Sequence, residues 1–484
     1  MSIRCEINCG LPYPAFPSTY SPTNLTAPMH MLSSMVPTPA LRRWSGVLAS
    51  LLVLTLVITG CDNDGDGGVD VQPDPNIAEL ASSESDLSTL VSALQQAGLV
   101  DDLEGDGPFT VFAPVNSAFQ NIDADELTGN SDLLEAVLTY HVVAGQEITA
   151  GDIQDGQTVE TLEGGELTFS VSNGAVSVNG ANVTTADLQA SNGVVHLVDG
   201  VLLETVDAVD RAVLAPNLST LATAVDAAGL AAADSPLRTS DPITIFAPVD
   251  DGFEGLDLDA LTGDTDLLTR VLQYHVVPGS RITSDQIAGG ETLTTLEGGT
   301  VDITVESGSV FVNGIPVTTV DIQTENAVIH LIDGVLLQNT NVVERATVTE
   351  AFSILVDLVG EAGLASALSG PGPDGEDGLT VFAPTNDAFL AALDANGNGT
   401  IDAGEIPSNA ADILQYHVLD DVFFAADVPE METDLPTLEG SNVTVVRSGS
   451  DVTVNPSDEN ASVVAADVDV SNGVIHGIDT VLIP

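Results

Sequence analysis

Twelve consecutive positions, Asp394 to Glu405, carry six oxygen-bearing side chains in this 484-residue sequence. Asp394, Asn396 and Asn398 stand first, third and fifth, Gly399 sixth, Thr400 seventh, Asp402 ninth and Glu405 twelfth. A calcium ion takes about six to eight oxygens, and this spacing wraps a single chain segment around one. The glycine permits the sharp turn, Thr400 offers its carbonyl, Asp402 can act through water and Glu405 can bind with both oxygens. Only Asp394, Asp402 and Glu405 carry charge, which predicts modest affinity for Ca2+. Phe389 to Leu393 can form an entering helix, whereas Pro407 stops an exiting one. The run reads as a single calcium loop inserted into a domain of another kind. Asp62 to Asp70 begins similarly, but Pro73 fills its twelfth position and has no carboxylate, so that stretch reads as an acidic flexible tether.

Six of the seven histidines form three pairs: His141 and His196, His275 and His330, His417 and His476. Imidazole is the side chain best placed for proton transfer or metal ligation near neutral pH. Yet no cysteine lies near these pairs, and no partner stands at the HExxH or HxH spacing of a metal site. Each of these histidines has apolar neighbours, where an imidazole can satisfy two buried backbone groups. Neither a Gly-x-Ser-x-Gly elbow nor a phosphate-binding glycine loop occurs, so no enzyme is expected.

The elements that must position these residues are written three times. Phe109-Thr-Val-Phe-Ala-Pro returns as Ile243-Thr-Ile-Phe-Ala-Pro and Leu379-Thr-Val-Phe-Ala-Pro, and Tyr140-His141 as Tyr274-His275 and Tyr416-His417. The first two copies keep step at 134 residues in both motifs, whereas the third advances by 136 in one and 142 in the other. The difference locates an insertion between the two motifs, where the oxygen-rich loop lies. Each unit opens with an apolar stripe such as Leu87, Leu90, Val91 and Leu94, an amphipathic helix stopped by Gly98, Gly229 or Gly363. The Phe-Ala-Pro run predicts a buried strand closed by proline, and the Asn116, Asp250 or Asn386 that follows can cap the next short helix. Asn173-Gly174 and Asn179-Gly180 between alternating runs signal hairpins, and each unit ends on a strand such as Val194-Val-His196. Helices first and strands second make an α+β domain.

Together, these two boxes, the Asn-Gly hairpin and the terminal histidine-bearing strand resemble the fasciclin domain, three times over residues 77–484. The resemblance implies an α+β fold in which each unit is a twisted β-wedge with a helical layer. Its three domains are expected at 77–208, 209–343 and 344–484, the last carrying the loop 394–405. It also implies adhesion as the module's usual business. In animal members the residue after the Phe-Ala-Pro run and the Tyr-His segment have been linked to receptor contact. Carried over, that names Asn116, His141, Asp250, His275, Asn386 and His417, beside plainer roles as caps and packing.

Upstream, Arg42-Arg43 precedes the apolar run Val47 to Ile58 and then Thr59-Gly60-Cys61. A basic region, a short apolar core and small residues describe a secretory signal too short to span a bilayer. Its ending resembles the lipobox of prokaryotic lipoproteins, which implies that Cys61 is acylated and becomes the mature N-terminus. Residues 1–60 are then leader, with an ordinary start at Met35, and 61–76 the tether. The chain carries 72 acidic and 9 basic residues, all arginine, for a net charge of −63. Such a field repels nucleic acid and anionic membrane surfaces and predicts a salty working environment. Cys5, Cys9 and Cys61 all precede the first domain, so no disulfide staples the fold. The expectation is a secreted, lipid-anchored adhesion or matrix-organising protein at the cell surface, outer membrane or periplasm. Its partner would be a surface or matrix protein, a polysaccharide or a second copy. The alternative is a periplasmic or surface ligand-binding protein for a polysaccharide or small molecule, which concave polar sites would favour.

Overall fold

Strands that are apolar at successive positions must be covered on both faces, and the Phe-Ala-Pro runs are of this kind. In the computed structural model, which describes residues 74–370, 378–455, 457 and 459–484, Phe109–Pro114 is such a strand. Cys61, the leader and most of the tether lie outside the described residues. Among the described residues no helix is long and apolar enough to cross a membrane.

Phe109–Pro114 pairs in parallel with the terminal strand Gly193–Val198, setting Val111 opposite Val195 and Phe112 opposite His196. Its other edge takes Val142–Ala144 in antiparallel register. Beyond the terminal strand the sheet continues through Ala181–Ala190, Ala175–Val178 and Glu166–Ser172 to Thr158–Glu160. The second and third units repeat this seven-strand order, with Ile243–Pro248 against Ala327–Ile332 and Leu379–Pro384 against Gly473–Ile478.

Each unit has two apolar cores because successive side chains on a strand point to opposite faces. Val111, Ala113, Val195 and Leu197 meet the helical layer, including Leu90, Leu94 and Val137. Phe112, Val143 and Val198 turn the other way, onto Leu167, Phe169 and Val178 of the hairpins. The amphipathic helix Ser88–Ala97 ends at Gly98 in the left-handed conformation, φ 72°, as its position after the apolar stripe predicts. Asn173 and Gly174, φ 54° and 83°, form the two-residue turn between Ser172 and Ala175. The α+β architecture expected from the sequence is the one the chain adopts.

The junctions differ from the expected boundaries. Helix Ala208–Val213 is fixed to the second domain by Ala208 N–H donating to Asn326 Oδ1 at 3.1 Å. Helix Val342–Thr347 is fixed to the third by Val342 N–H donating to Asn472 Oδ1 at 2.8 Å. A boundary at 343/344 would cut this helix, so the junctions fall just before the N-caps Asp207 and Asn341. Leu214 and Val348, which end these helices, are fully buried in the core of the preceding domain. Their carbonyls accept Asp123 N–H at 2.9 Å and Asp257 N–H at 3.0 Å. Consecutive domains are thereby dovetailed.

Candidate functional site

His141 closes the helix Ser131–Tyr140. Its Nδ1 donates to the Val137 carbonyl at 2.6 Å and its Nε2 accepts Leu202 N–H at 3.0 Å, which requires the neutral ring protonated on Nδ1. His275 does the same with Val271 and Leu336, and His417 with Ile413 and Leu482. Burial pushes the pKa of all three down to about 4, so they stay neutral at physiological pH. The terminal-strand histidines use the opposite tautomer. His196 donates from Nε2 to the Ile148 carbonyl at 2.8 Å, accepts Asp187 N–H on Nδ1 at 3.3 Å and stacks on Phe112. His330 and His476 repeat this against Phe246 and Phe382. All six rings are committed at both nitrogens. His141, His275 and His417 are 2%, 3% and 1% exposed, so their carried-over role in partner contact does not fit the folded domains.

Asn116, Asp250 and Asn386 do cap a helix, though not the one that follows them. Asn116 Oδ1 accepts Thr89 N–H at 2.9 Å and its Nδ2 donates to the Ser85 carbonyl at 3.0 Å. Asp250 accepts Thr220 N–H at 2.8 Å, and Asn386 accepts Ile354 N–H at 3.0 Å. Each secures the start of the unit's amphipathic helix, because the buried strand delivers its last residues back across the helical layer. In the third domain Thr385 caps the following helix instead, accepting Ala388 N–H at 3.3 Å.

Two further asparagines recur in each unit, one absent from the sequence reading and one, Asn179, read there only as a hairpin signal. Asn192 Oδ1 accepts Ile77 N–H at 3.0 Å, and its Nδ2 donates to the carbonyls of Leu103 and Gly105 at 2.8 and 2.9 Å. Asn326 and Asn472 make the same three bonds in their domains. Asn179, Asn313 and Asn455 each donate to the hydroxyl of the Tyr-His tyrosine, at 2.8, 3.1 and 3.1 Å. Their recurrence at matched places in all three copies was the available signal.

The oxygen-rich loop replaces the short helices Ala124–Gly129 and Leu258–Gly263, whose N-caps bond to the next domain. It follows the helix Asn386–Leu393, and Gly399 makes the turn at φ 80°. Asp394 accepts Gly399, Gly397 and Asn398 N–H groups at 2.9, 2.7 and 3.1 Å, which hold its carboxyl below the usual range. Asn396 and Asn398 both donate from Nδ2 to Asp402 Oδ2, at 2.9 and 3.1 Å. Glu405 accepts Asn396 and Asp402 N–H at 3.1 and 3.0 Å, and Thr400 N–H donates to Asn398 Oδ1 at 2.9 Å. The six expected ligands thus gather in one loop, with amides between their carboxylates. Among the described residues no three His, Cys, Asp or Glu side chains converge as a metal centre.

The tyrosine–asparagine pairs of the first two domains each border a polar cleft at a domain junction. The first, of about 780 Å³, runs from Tyr140, Asn179 and Glu204 to Arg281 and Glu325. The second, of about 1080 Å³, runs from Tyr274 and Asn313 to Arg345 and Asp469.

Three copies of a seven-stranded sheet with a helical layer, two cores and the same histidine and asparagine bonds define a tandem-repeat α+β protein. The fasciclin domain model matches residues 85–204, 216–338 and 350–484, and the chain belongs to the fasciclin domain family. It is 31% identical over 415 residues to transforming growth factor-beta-induced protein ig-h3 of Sus scrofa, covering 84% of this chain and 58% of that protein. It is 35% identical over 305 residues to periostin of Homo sapiens, covering 60% and 35%. Immunogenic protein MPB70 of Mycobacterium bovis is 39% identical over 135 residues, covering 26% of this chain and 68% of that one. The chain therefore spans less than two thirds of both animal relatives.

Proposed function

We propose that this chain is a non-enzymatic adhesion or matrix-organising protein, lipid-anchored at Cys61 and suited to salty surroundings. The observation that carries the reading is the use of the repeated polar groups. The six histidines that could do acid/base chemistry are each tied at both ring nitrogens inside the fold. Three dovetailed modules remain, with an acidic exterior, in a family linked to adhesion and matrix proteins. Cells carrying the protein should aggregate or hold matrix more strongly than cells lacking it. Equal aggregation with and without the protein would defeat the reading.

Calcium is part of the proposal. Asp394, Asn396, Asn398, Thr400, Asp402 and Glu405 would hold the ion once the carboxylates draw inward and the hydrogen bonds that the asparagine amides donate to Asp402 give way. Its role would be to stiffen the loop that stands where the first two domains dock onto their successors. Full-length protein should bind calcium with Kd on the order of 0.1–1 mM and melt higher in its presence. Glu405→Gln should remove both effects, and a calorimetric titration without heat would sink the idea.

A second reading, a surface ligand-binding protein, is favoured by the concave polar clefts at the junctions.

A further inference from the structure

The two junction clefts are built from matched positions, and one difference between them leaves a cation without its counterpart. In the first, Asn179 Nδ2 donates to Glu204 Oε2 at 3.0 Å, and Glu204 lies within electrostatic reach of Arg211. In the second, Asn313 Nδ2 donates to Gln338 Oε1 at 3.3 Å, and Arg345 takes the place of Arg211 at the same 134-residue step. A carboxylate has become a neutral amide while the arginine remains. Arg345 Nη1 is buried and finds no hydrogen-bond partner among the described residues. Burial lowers its pKa to about 10.

Asn339 Oδ1 is in the same condition. Its Nδ2 donates to the Arg270 carbonyl at 3.3 Å, so turning the amide over would set oxygen against oxygen. Arg270 is itself held by Glu344 at 2.6 Å. A buried donor and a buried acceptor, each costly to leave unpaired, therefore border one cavity of about 1080 Å³. Four carboxylates, Glu297, Asp302, Asp467 and Asp469, also line its wall.

The chemistry of that wall selects the occupant. An anion would satisfy Arg345 but be repelled by four carboxylates, and a cation would do the reverse. A hydroxyl is neutral, accepts from Arg345, and donates to Asn339 or to a carboxylate. We propose that the cleft between the second and third domains binds a neutral saccharide, gripped by Arg345 and Asn339 while the acidic wall accepts its hydroxyl protons. A rotation of the Arg345 side chain would bring its unpaired Nη1 within reach of a sugar hydroxyl in the cleft. The first cleft lacks this site, since Arg211 is not among its lining residues and has the Glu204 carboxylate within electrostatic reach. This inference rests on the ligand-binding reading and names the ligand class.

The full chain is titrated by calorimetry with tetrasaccharides of glucose, galactose and mannose, with tetragalacturonate as the anionic probe and chitosan tetramer as the cationic one. At least one neutral probe should bind, and Arg345→Leu should weaken it by about tenfold or more. Gln338→Glu, which gives Arg345 the carboxylate that Arg211 has, should weaken it as much while melting no lower than the parent, a control against misfolding. Neutral binding unchanged in Gln338→Glu would overturn the site. Arg345-dependent binding of a charged probe alone would overturn the neutral-sugar assignment yet leave the ligand-binding reading standing. Binding of none of the probes would overturn both.

Discussion

A buried imidazole that already accepts a main-chain N–H cannot take up a proton without losing that bond. Burial above all holds His141, His275 and His417 at about 4 in the fold against an ordinary value of 6.5. Between these values the unfolded chain binds protons that the folded chain refuses, so their contribution is complete above pH 6.5 and is lost as pH falls towards 4. Glu204 and Asp469, whose carboxyls burial pushes up, work in the opposite sense. The melting temperature should fall through this window, and His275→Gln, which keeps a donor and an acceptor without titrating, should remove part of the slope. An unchanged slope in differential scanning calorimetry would count against the account. The structural role of the histidines was legible from their apolar neighbours, but their partners were not. Val137 lies one turn back from His141, whereas Leu202 comes from a distant segment of the chain. Asn116 likewise has the residue type of a cap, yet which helix it caps depends on where the strand before it leads.

The element whose geometry is least forgiving is the start of the terminal strand. A Cβ on Gly193 would stand 2.0 Å from the Phe109 carbonyl oxygen, and one on Gly473 equally close to that of Leu379. Main chain cannot yield as a side chain tip can, so Gly193→Ala should destabilise the first domain by about 3 kcal/mol, read as a lower denaturant midpoint. The second domain carries Ala327 at this register, and there the turn closes differently, with Thr324 Oγ1 accepting Ala327 N–H at 2.8 Å. Grafting Thr-Glu-Asn-Ala over residues 190–193 should therefore recover most of the loss. Hairpins at Asn-Gly pairs and helix ends at Gly98 were legible because single residues dictate local backbone. The parallel pairing of Phe109–Pro114 with Gly193–Val198 was not, since a continuously apolar run announces burial on both faces without naming its neighbour. The inserted loop was legible for another reason, that it throws the third repeat out of step.

For the whole molecule, the dominant quantity is a net charge of −63. Among the described residues, two of its few arginines pair with carboxylates near the domain junctions: Arg238 meets Asp207 and Asp210 at 2.6 and 2.9 Å, and Arg270 meets Glu344 across the second junction. Raising NaCl from about 0.1 to 1 M shortens the screening length from about 10 to 3 Å and relieves far more repulsion than it weakens these pairs. The melting temperature should rise, and a fall would show that the junction pairs matter more than the overall field. The number of domains was legible from repetition alone. Their dovetailing was not, because Leu214 and Val348 look like ordinary helix residues of one domain while filling the core of the one before.

The central pairing of each domain also fixes how the array would carry tension. The chain enters the first unit beside the start of the terminal strand, where Asn192 holds Ile77, and leaves from the end of that same strand. A pull along the array crosses the domain through six residues flanked by a parallel neighbour on one side and an antiparallel one on the other. Those ladders would be sheared together rather than unzipped bond by bond. The hairpin wedge lies off that path, so it can meet a partner without being deformed by the force the strand transmits.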